Sequence, residues 1–386
     1  MNFGFEDHHI LIRDTIRDFA TNEIAPEAEE IDASGRFPYE IIEGLAGLGF
    51  MGVPFPEEYG GAGADTLAYA IVLEELGRVD GSVGITVEAH TSLGTTPIWL
   101  FGTEEQKRTW MPELASGRKL AAFGLTEPDA GSDAGGTRTT AVRDGDEWVI
   151  NGSKCFITNA GTDITAFVTA TAVTGPGDAG NKEISTIMVP NGTPGYTQAP
   201  KYKKMGWHGS DTRELAFVDC RVPYENLVGE EGRGFAQFLR TLAGGRIALG
   251  ALGLGLAQGV YELALQYSRD RFQFGQPIGR FQAIAFKLAD MATRIEAARC
   301  LLYKAAMLGD LGKDVRKVAC MAKLVCSELA VWAADEAVQI HGGYGFMDEY
   351  PVSRFYRDAK ILTIGEGTSE INRLVISREI GAGAEQ

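Results

Sequence analysis

Hydrophobic positions along the chain change their period twice. Over residues 6 to 120 they follow helical spacing, interrupted by turns such as Gly35-Arg36-Phe37-Pro38 and Pro54-Phe55-Pro56. Within 66 to 77, Leu67, Ala70, Ile71, Leu73, Glu74 and Leu76 keep mostly helical steps, which predicts a helix there. From about 123 to 230 the pattern shortens into β-prone runs: Trp148-Val149-Ile150, Phe167-Val168-Thr169, Ile187-Met188-Val189 and Leu215-Ala216-Phe217-Val218, separated by Gly, Asp, Asn and Pro. The stretch Val173 to Lys182 reads as a mobile hairpin tip.

After 231 the helical period returns. Arg246 to about Arg269 is apolar on nearly every face, the mark of a helix buried on all sides. Ile284, Leu288, Met291, Ile295, Ala298 and Leu302 alternate four- and three-residue steps, as do Val318, Ala322, Val325, Leu329 and Trp332. Two long helices packed in a bundle follow from that spacing. The expected fold is multidomain α+β. It comprises an N-terminal α-helical domain (1–122), a middle β-barrel or sandwich-like domain (123–230) and a C-terminal four-helix bundle (231–386).

Composition narrows the partners. A formal charge of −16, spread along the chain, repels nucleic acid and anionic lipid. It does not exclude a phosphate-bearing ligand, which a few local donors can hold. Five scattered cysteines without C-x-x-C spacing read as reduced thiols and point to the cytoplasm. The first twenty residues mix acids with apolar groups, unlike a secretory or transit signal, and no run reaches the ~18 apolar residues of a membrane span. A soluble protein is expected.

Two familiar ligand signals fail. Gly253-Leu254-Gly255 is neither preceded by a strand nor followed by the third glycine of a dinucleotide fingerprint, so these glycines are read as letting helices approach closely. His8, His9, His90, His208 and His341 include no i, i+4 pair and no cysteine pair, so no metal is expected. The stretch Phe123-Gly124-Leu125-Thr126-Glu127-Pro128-Asp129-Ala130-Gly131-Ser132-Asp133 differs. Its small residues, glycines and hydroxyls suit a loop whose amides face a flat, acceptor-rich ring, although an ordinary capped turn has the same composition.

Over nearly its whole length the chain resembles the acyl-CoA dehydrogenase family, with the motifs in the family's order. FGLTEPDAGSD is similar to the first family signature and GSKCFITNAG to the flavin-facing strand. RFQFGQPIGRFQAIAFKLADM follows, and DEAVQIHGGYGFMDEYPVSRFYRDAKILTIGEGTSEINR resembles the second signature with the base-bearing segment. The resemblance implies FAD against Phe123, Leu125, Thr126, Gly131, Ser132, Phe156 and Thr158, with Phe156 stacking on the ring and the two threonines at its polar edge. It implies a homotetramer in which Arg271, Phe274, Gln282, Gln339, Gly342 and Gly343 meet a neighbour's FAD, and it puts Thr368 and Glu370 at the flavin as well. Arg271 would fork onto phosphate.

The same resemblance assigns the catalytic base to Glu366, with Ser132, Arg246 and Gly367 at the substrate. The implied reaction removes an α-proton from an acyl-CoA thioester and passes the β-hydrogen as hydride to FAD. The Glu366 N–H and the flavin ribityl hydroxyl would polarise the thioester carbonyl, and electrons would pass to an electron-transferring flavoprotein. Fatty-acid or amino-acid catabolism would be the setting. A minority of the family carries the base just before the arginine matching Arg246; this chain has Gly245 there. Gly365 and Ala243 also depart from patterns common among straight-chain members, and 79 to 100 holds no Lys or Arg for a dicarboxylic substrate. Rival readings are an oxidase on the same fold and a non-catalytic flavin- or CoA-binding interaction protein.

Overall fold

The computed structural model describes residues 5–177 and 182–382; part of the expected hairpin tip lies outside them. Seven helices come first: α1 (Asp7–Phe19), α2 (Ala28–Ser34), α3 (Tyr39–Gly47), α4 (Thr66–Gly77), α5 (Gly81–Glu88), α6 (Thr96–Phe101) and α7 (Glu104–Ala115). The predicted helix over 66 to 77 is α4, begun by the Asp65 side chain accepting from Ala68 N–H. Between α5 and α6 the chain widens into a π-helical stretch, Ala89–Thr95, that is buried throughout. Such widened turns gather at functional sites.

The middle of the chain forms one seven-stranded sheet. Its strands are β1 (Leu120–Gly124), β2 (Thr140–Asp144), β3 (Glu147–Thr158), β4 (Thr165–Pro176), β5 (Lys182–Pro190), β6 (Tyr196–Gln198) and β7 (Thr212–Pro223). The order is β1-β4-β2-β3-β7-β6, with β5 on the other side of β4. β1 and β2 pair parallel to β4, and the remaining neighbours are antiparallel. The sheet opens at Leu120, slightly before the boundary read from sequence.

The C-terminal part contains α8 (Gly234–Asp270), a small hairpin of β8 (Phe272–Gln273) and β9 (Gln276–Pro277), then α9 (Gln282–Asp310), α10 (Arg316–His341), α11 (Val352–Ala359) and α12 (Ser369–Glu379). By length and composition α8 could cross a bilayer, but 78% of its most apolar stretch is buried inside the protein. The two expected bundle helices are α9 and α10. On α10 the buried face is centred on Ala319, Lys323, Cys326, Ala330 and Ala333, while Val325 is exposed. The sequence stripe through Val325 and Trp332 marked the edge of that face because its centre is built from alanines and a lysine.

Helix α4 packs against α8 so closely that a Cβ on Gly255 would lie 2.0 Å from the Glu74 carbonyl. The N- and C-terminal helices share one apolar core. Charged groups also join them: Glu74 accepts from Arg299 Nε (3.0 Å) and Tyr303 Oη (2.6 Å), and Asp32 accepts from Arg357 Nη1 (3.1 Å). Burying these groups together ties the helical parts into one scaffold around the carboxyl described next.

Candidate active site

Glu366 stands in a turn that the backbone resists. Between the helical turn Lys360–Thr363 and α12, it adopts φ +53°, a left-handed conformation costly for a residue with a side chain. The following residue holds it there. The Gly367 carbonyl accepts from Lys323 Nζ (2.8 Å) and Asn372 Nδ2 (2.9 Å), while Thr368 caps α12 by accepting from Ile371 N–H (3.2 Å). Glu366 is partly exposed as a residue, yet its Oε2 is shielded from solvent and receives no hydrogen bond from an ordinary donor.

That oxygen lies over α8. A Cβ built on Gly245 would come 2.6 Å from Glu366 Oε2 and 3.0 Å from Leu93 Cδ2. Burial raises the Glu366 carboxyl above its ordinary range, and the neighbouring Glu88, Lys323 and Arg246 pull it back down. Lys323 is itself lowered to about 8, chiefly by burial, with Glu366 opposing. Arg246 is buried, its Nε without a partner. A desolvated carboxyl moderated by two cations is suited to exchanging a proton near neutral pH.

The π-helical stretch that carries Leu93 joins this cup to the sheet. Ala121 N–H on β1 donates to His90 Nδ1 (3.1 Å), and His90 Nε2–H donates to the Leu114 carbonyl (2.9 Å). Burial pushes His90 down to about 4, so it bridges the two parts as a neutral ring. At the end of β3, Asn159 Nδ2 donates to the Thr86 carbonyl on α5 (2.9 Å). The strand carrying Phe156 and Thr158 is thereby fixed to the helix carrying Glu88.

Phe123 lies on β1, stacked on Phe238 with centroids 3.9 Å apart, and Leu125 and Thr126 follow it. The next turn is closed by reciprocal bonds between Glu127 and Ala130 (3.1 Å each), which leaves Gly131 and Ser132 exposed. Phe156 is 67% exposed with φ +61°, and Thr158 ends β3 opposite Thr212. An apolar ring held outward at an unfavourable backbone angle fits a surface made to be covered by a flat ligand. Of the six non-glycine residues with left-handed φ among the described residues, Phe156, Phe274 and Glu366 are all expected site positions.

Arg271, Gly342 and Gly343 come together in a separate groove of about 500 Å³, with Tyr267, His341 and Tyr344 also in its wall. The Arg271 guanidinium stands 5.5 Å from the Tyr344 ring centroid. Phe274 is 93% exposed. Gln282 at the start of α9 and Gln339 near the end of α10 are exposed and do not line this groove. Thr368 and Glu370 line a further cleft with Lys360 and Ile364 at the start of α12. Glu370 is exposed, and its carboxyl is lowered by hydrogen bonds to its own N–H and to Thr368.

Several residues of this architecture escaped the sequence reading. Lys154 is fully buried; its Nζ donates to Glu127 Oε1 (2.7 Å), Thr171 Oγ1 (2.9 Å) and the Leu125 carbonyl (3.2 Å). Glu127 also accepts from Arg138 N–H (2.7 Å) and Thr139 N–H (3.1 Å), so one ion pair organises the whole loop. Both residues lie inside the quoted motifs, and a lysine within a β-prone run was the available signal. Glu88, Lys323 and Asn372 carried no such signal. His8, His9 and Asp65 offer ligand atoms within 4.8 Å of one another. However, His9 Nδ1 already accepts from Glu6 N–H (3.2 Å), its Nε2 meets Asp65 Oδ2 (3.0 Å), and Asp65 caps α4.

Helices, a curled sheet and helices, assembled around a shielded carboxyl and an outward aromatic ring, define a flavoenzyme architecture. Sequence models of the acyl-CoA dehydrogenase N-terminal, middle and C-terminal domains match residues 6–118, 122–220 and 232–381. A Bacillus subtilis protein named "Probable acyl-CoA dehydrogenase YngJ" is 53% identical over 98% of this chain and 100% of its own length. The short-chain-specific acyl-CoA dehydrogenase of Clostridium acetobutylicum is 45% identical, with the same coverage. The structure of butyryl-CoA dehydrogenase from Megasphaera elsdenii superposes with a TM-score of 0.95 at 45% identity, covering 98% of this chain and 100% of that one. The chain belongs to the acyl-CoA dehydrogenase family, as an oxidoreductase whose cofactor is FAD.

Proposed function

We propose that the protein oxidises a short acyl-CoA thioester across its α,β carbon–carbon bond, with Glu366 as the base. The observation that carries this reading is the Glu366 carboxyl, shielded at Oε2, raised by burial and fixed in a left-handed turn. FAD supplies the hydride acceptor when bound. Its support would come from Phe123, Leu125, Thr126, Gly131, Ser132, Phe156 and Thr158, with Thr368 and Glu370 beyond the base. Arg271, Gly342 and Gly343, with Phe274, Gln282 and Gln339 around them, would meet a neighbouring subunit's cofactor in a tetramer.

Glu366 takes the α-proton, while Arg246 and Lys323 keep its carboxylate accessible in an apolar setting. The Glu366 N–H would polarise the thioester oxygen, with Gly367 beside the thioester and Ser132 at the pantetheine. A short acyl chain is favoured by relatives named short-chain specific and butyryl-CoA dehydrogenase. The electron acceptor would be an electron-transferring flavoprotein; a solved structure named for that protein from Acidaminococcus fermentans matches this chain at 46% identity and TM-score 0.95. The three-domain division at 122/123 and 230/231 and a cytoplasmic location belong to the same proposal. The test is anaerobic: purified protein should be yellow, a short acyl-CoA should bleach it, and the flavoprotein should reoxidise it. A colourless protein, or one no acyl-CoA bleaches, would refute this function.

A further inference from the structure

Glu88, the last residue of α5, is the most deeply buried acid near the site, with 0% exposure. Neither of its oxygens has a hydrogen-bond partner of good geometry, and the nearest hydroxyl is that of Ser92. The polar side chain that faces it is the Glu366 carboxyl, within hydrogen-bonding reach, with Ser92 beside it. Ser92 Oγ is itself 3.0 Å from Tyr69 Oη. No part of the reaction proposed above uses Glu88.

Two carboxyls in contact inside an apolar setting cannot both be ionised without a large penalty, so they titrate as a pair. The cations decide which one keeps the proton. Lys323 from α10 and Arg246 from α8 act on Glu366. Among the described residues, the Glu88 side holds the neutral Tyr69 of α4, Ser92 and Glu366 itself, and no cation there offsets the burial. The proton therefore resides on Glu88 while Glu366 ionises first. A protonated carboxyl is a donor, and the charged acceptor within its reach is the Glu366 carboxylate.

We propose that Glu88 is a positioning residue for the base, its carboxyl O–H donating to the Glu366 carboxylate. This inference rests on the assignment of Glu366 as the base. The hydrogen bond would do two things. It orients the carboxylate within the left-handed turn, and it stabilises the ionised form, so the base becomes active at a lower pH than burial alone would allow. Glu88 does not touch substrate in this account; it acts through Glu366.

The experiment uses the FAD-loaded enzyme in anaerobic stopped flow, following flavin reduction by a saturating short acyl-CoA across pH. Glu88→Leu fills the same space without a donor. Its acid limb should move up by about one pH unit, with reduction on that limb about tenfold slower and affinity for a non-reducible thioester nearly unchanged. Glu88→Gln keeps an N–H donor and should hold the limb near that of wild type. A Glu88→Leu limb coincident with wild type, or a Glu88→Gln limb displaced as far as that of Glu88→Leu, would overturn the proposal. Infrared spectra provide a readout independent of turnover and of the leucine variant's folding. A protonated-carboxyl band present in wild type at neutral pH should vanish in Glu88→Gln and persist in Glu366→Gln; the reverse pattern would place the proton on Glu366 and overturn the pairing. Reduction of Glu366→Gln at the wild-type rate would instead refute the base assignment, whatever the infrared result.

Discussion

Gly245 and Glu366 occupy complementary halves of one space: a Cβ on Gly245 would lie 2.6 Å from Glu366 Oε2. The glycine is what admits the carboxyl to its place over α8. A side chain carried at position 245 would converge on the volume that the Glu366 carboxyl occupies. Gly245→Ala should therefore separate stability from activity. In the interior of α8, alanine is favoured over glycine by ~0.5–1 kcal/mol, so thermal stability should hold or rise slightly. The displaced carboxylate should slow flavin reduction by about 10- to 100-fold. Calorimetry and stopped flow on the same preparation check both, and an alanine variant of full activity would show that the carboxyl has room to spare.

The loop after β1 depends on a buried pair. Glu127 joins Lys154 to the backbone of Arg138 and Thr139, and Lys154 in turn holds the Leu125 carbonyl. Burial lowers Lys154 to about 8, with Glu127 opposing that shift. Removing one partner strands the other, at a cost of ~3–5 kcal/mol. Glu127→Gln should thus lower the melting temperature and release FAD more readily during gel filtration. Lys154→Met with Glu127→Gln together should recover part of the stability lost by either alone. Unchanged FAD retention in the single variant would separate this pair from the flavin loop.

Stability should also respond to pH through Asp358. Burial, with Asp80 nearby, raises its carboxyl to about 7, while Trp207 N–H donates to its Oδ1 (2.6 Å). The folded protein binds this proton more tightly than the unfolded chain, where an aspartate titrates near ~3.9. The associated stability is fully present below that value and is lost as pH rises towards about 7. Asp358→Asn keeps an acceptor for Trp207 without the ionisation. Its melting temperature should fall less than that of wild type between about pH 5 and 7.5. Parallel curves would mean that Asp358 titrates normally.

The parts of this architecture written as period were legible in the sequence. Helix α4 spans the residues that Leu67 to Leu76 mark out, and the apolar stretch read from Arg246 to about Arg269 is buried on nearly every side as far as Val260, after which only Ala264 and Ser268 of α8 are buried. Glu366 was reached through the family's motifs, because Gly365-Glu366-Gly367 by itself describes only a turn. Glu88 was illegible for a physical reason. The α5 and π-helical stretch is buried on every side, so it has no polar face against which one acid stands out, and the partner that gives Glu88 meaning lies at position 366. Lys323 was missed similarly, as a charge within a helix whose alanine-rich core face carries no hydrophobic stripe.

The central claim is that Glu366 is the base, and Glu366→Gln tests it most directly. The amide conserves size, and the supports at Gly367 come from Lys323 and Asn372, so fold and FAD content should survive. Basicity alone is lost, and general bases contribute ~10² to 10⁴-fold. Anaerobic stopped-flow reduction by a short acyl-CoA should fall by at least the upper end of that range, with thioester affinity little changed. Glu370→Gln, four residues on and exposed, serves as the control and should lose far less. A Glu366→Gln enzyme that binds substrate and is reduced at close to the wild-type rate would contradict the account.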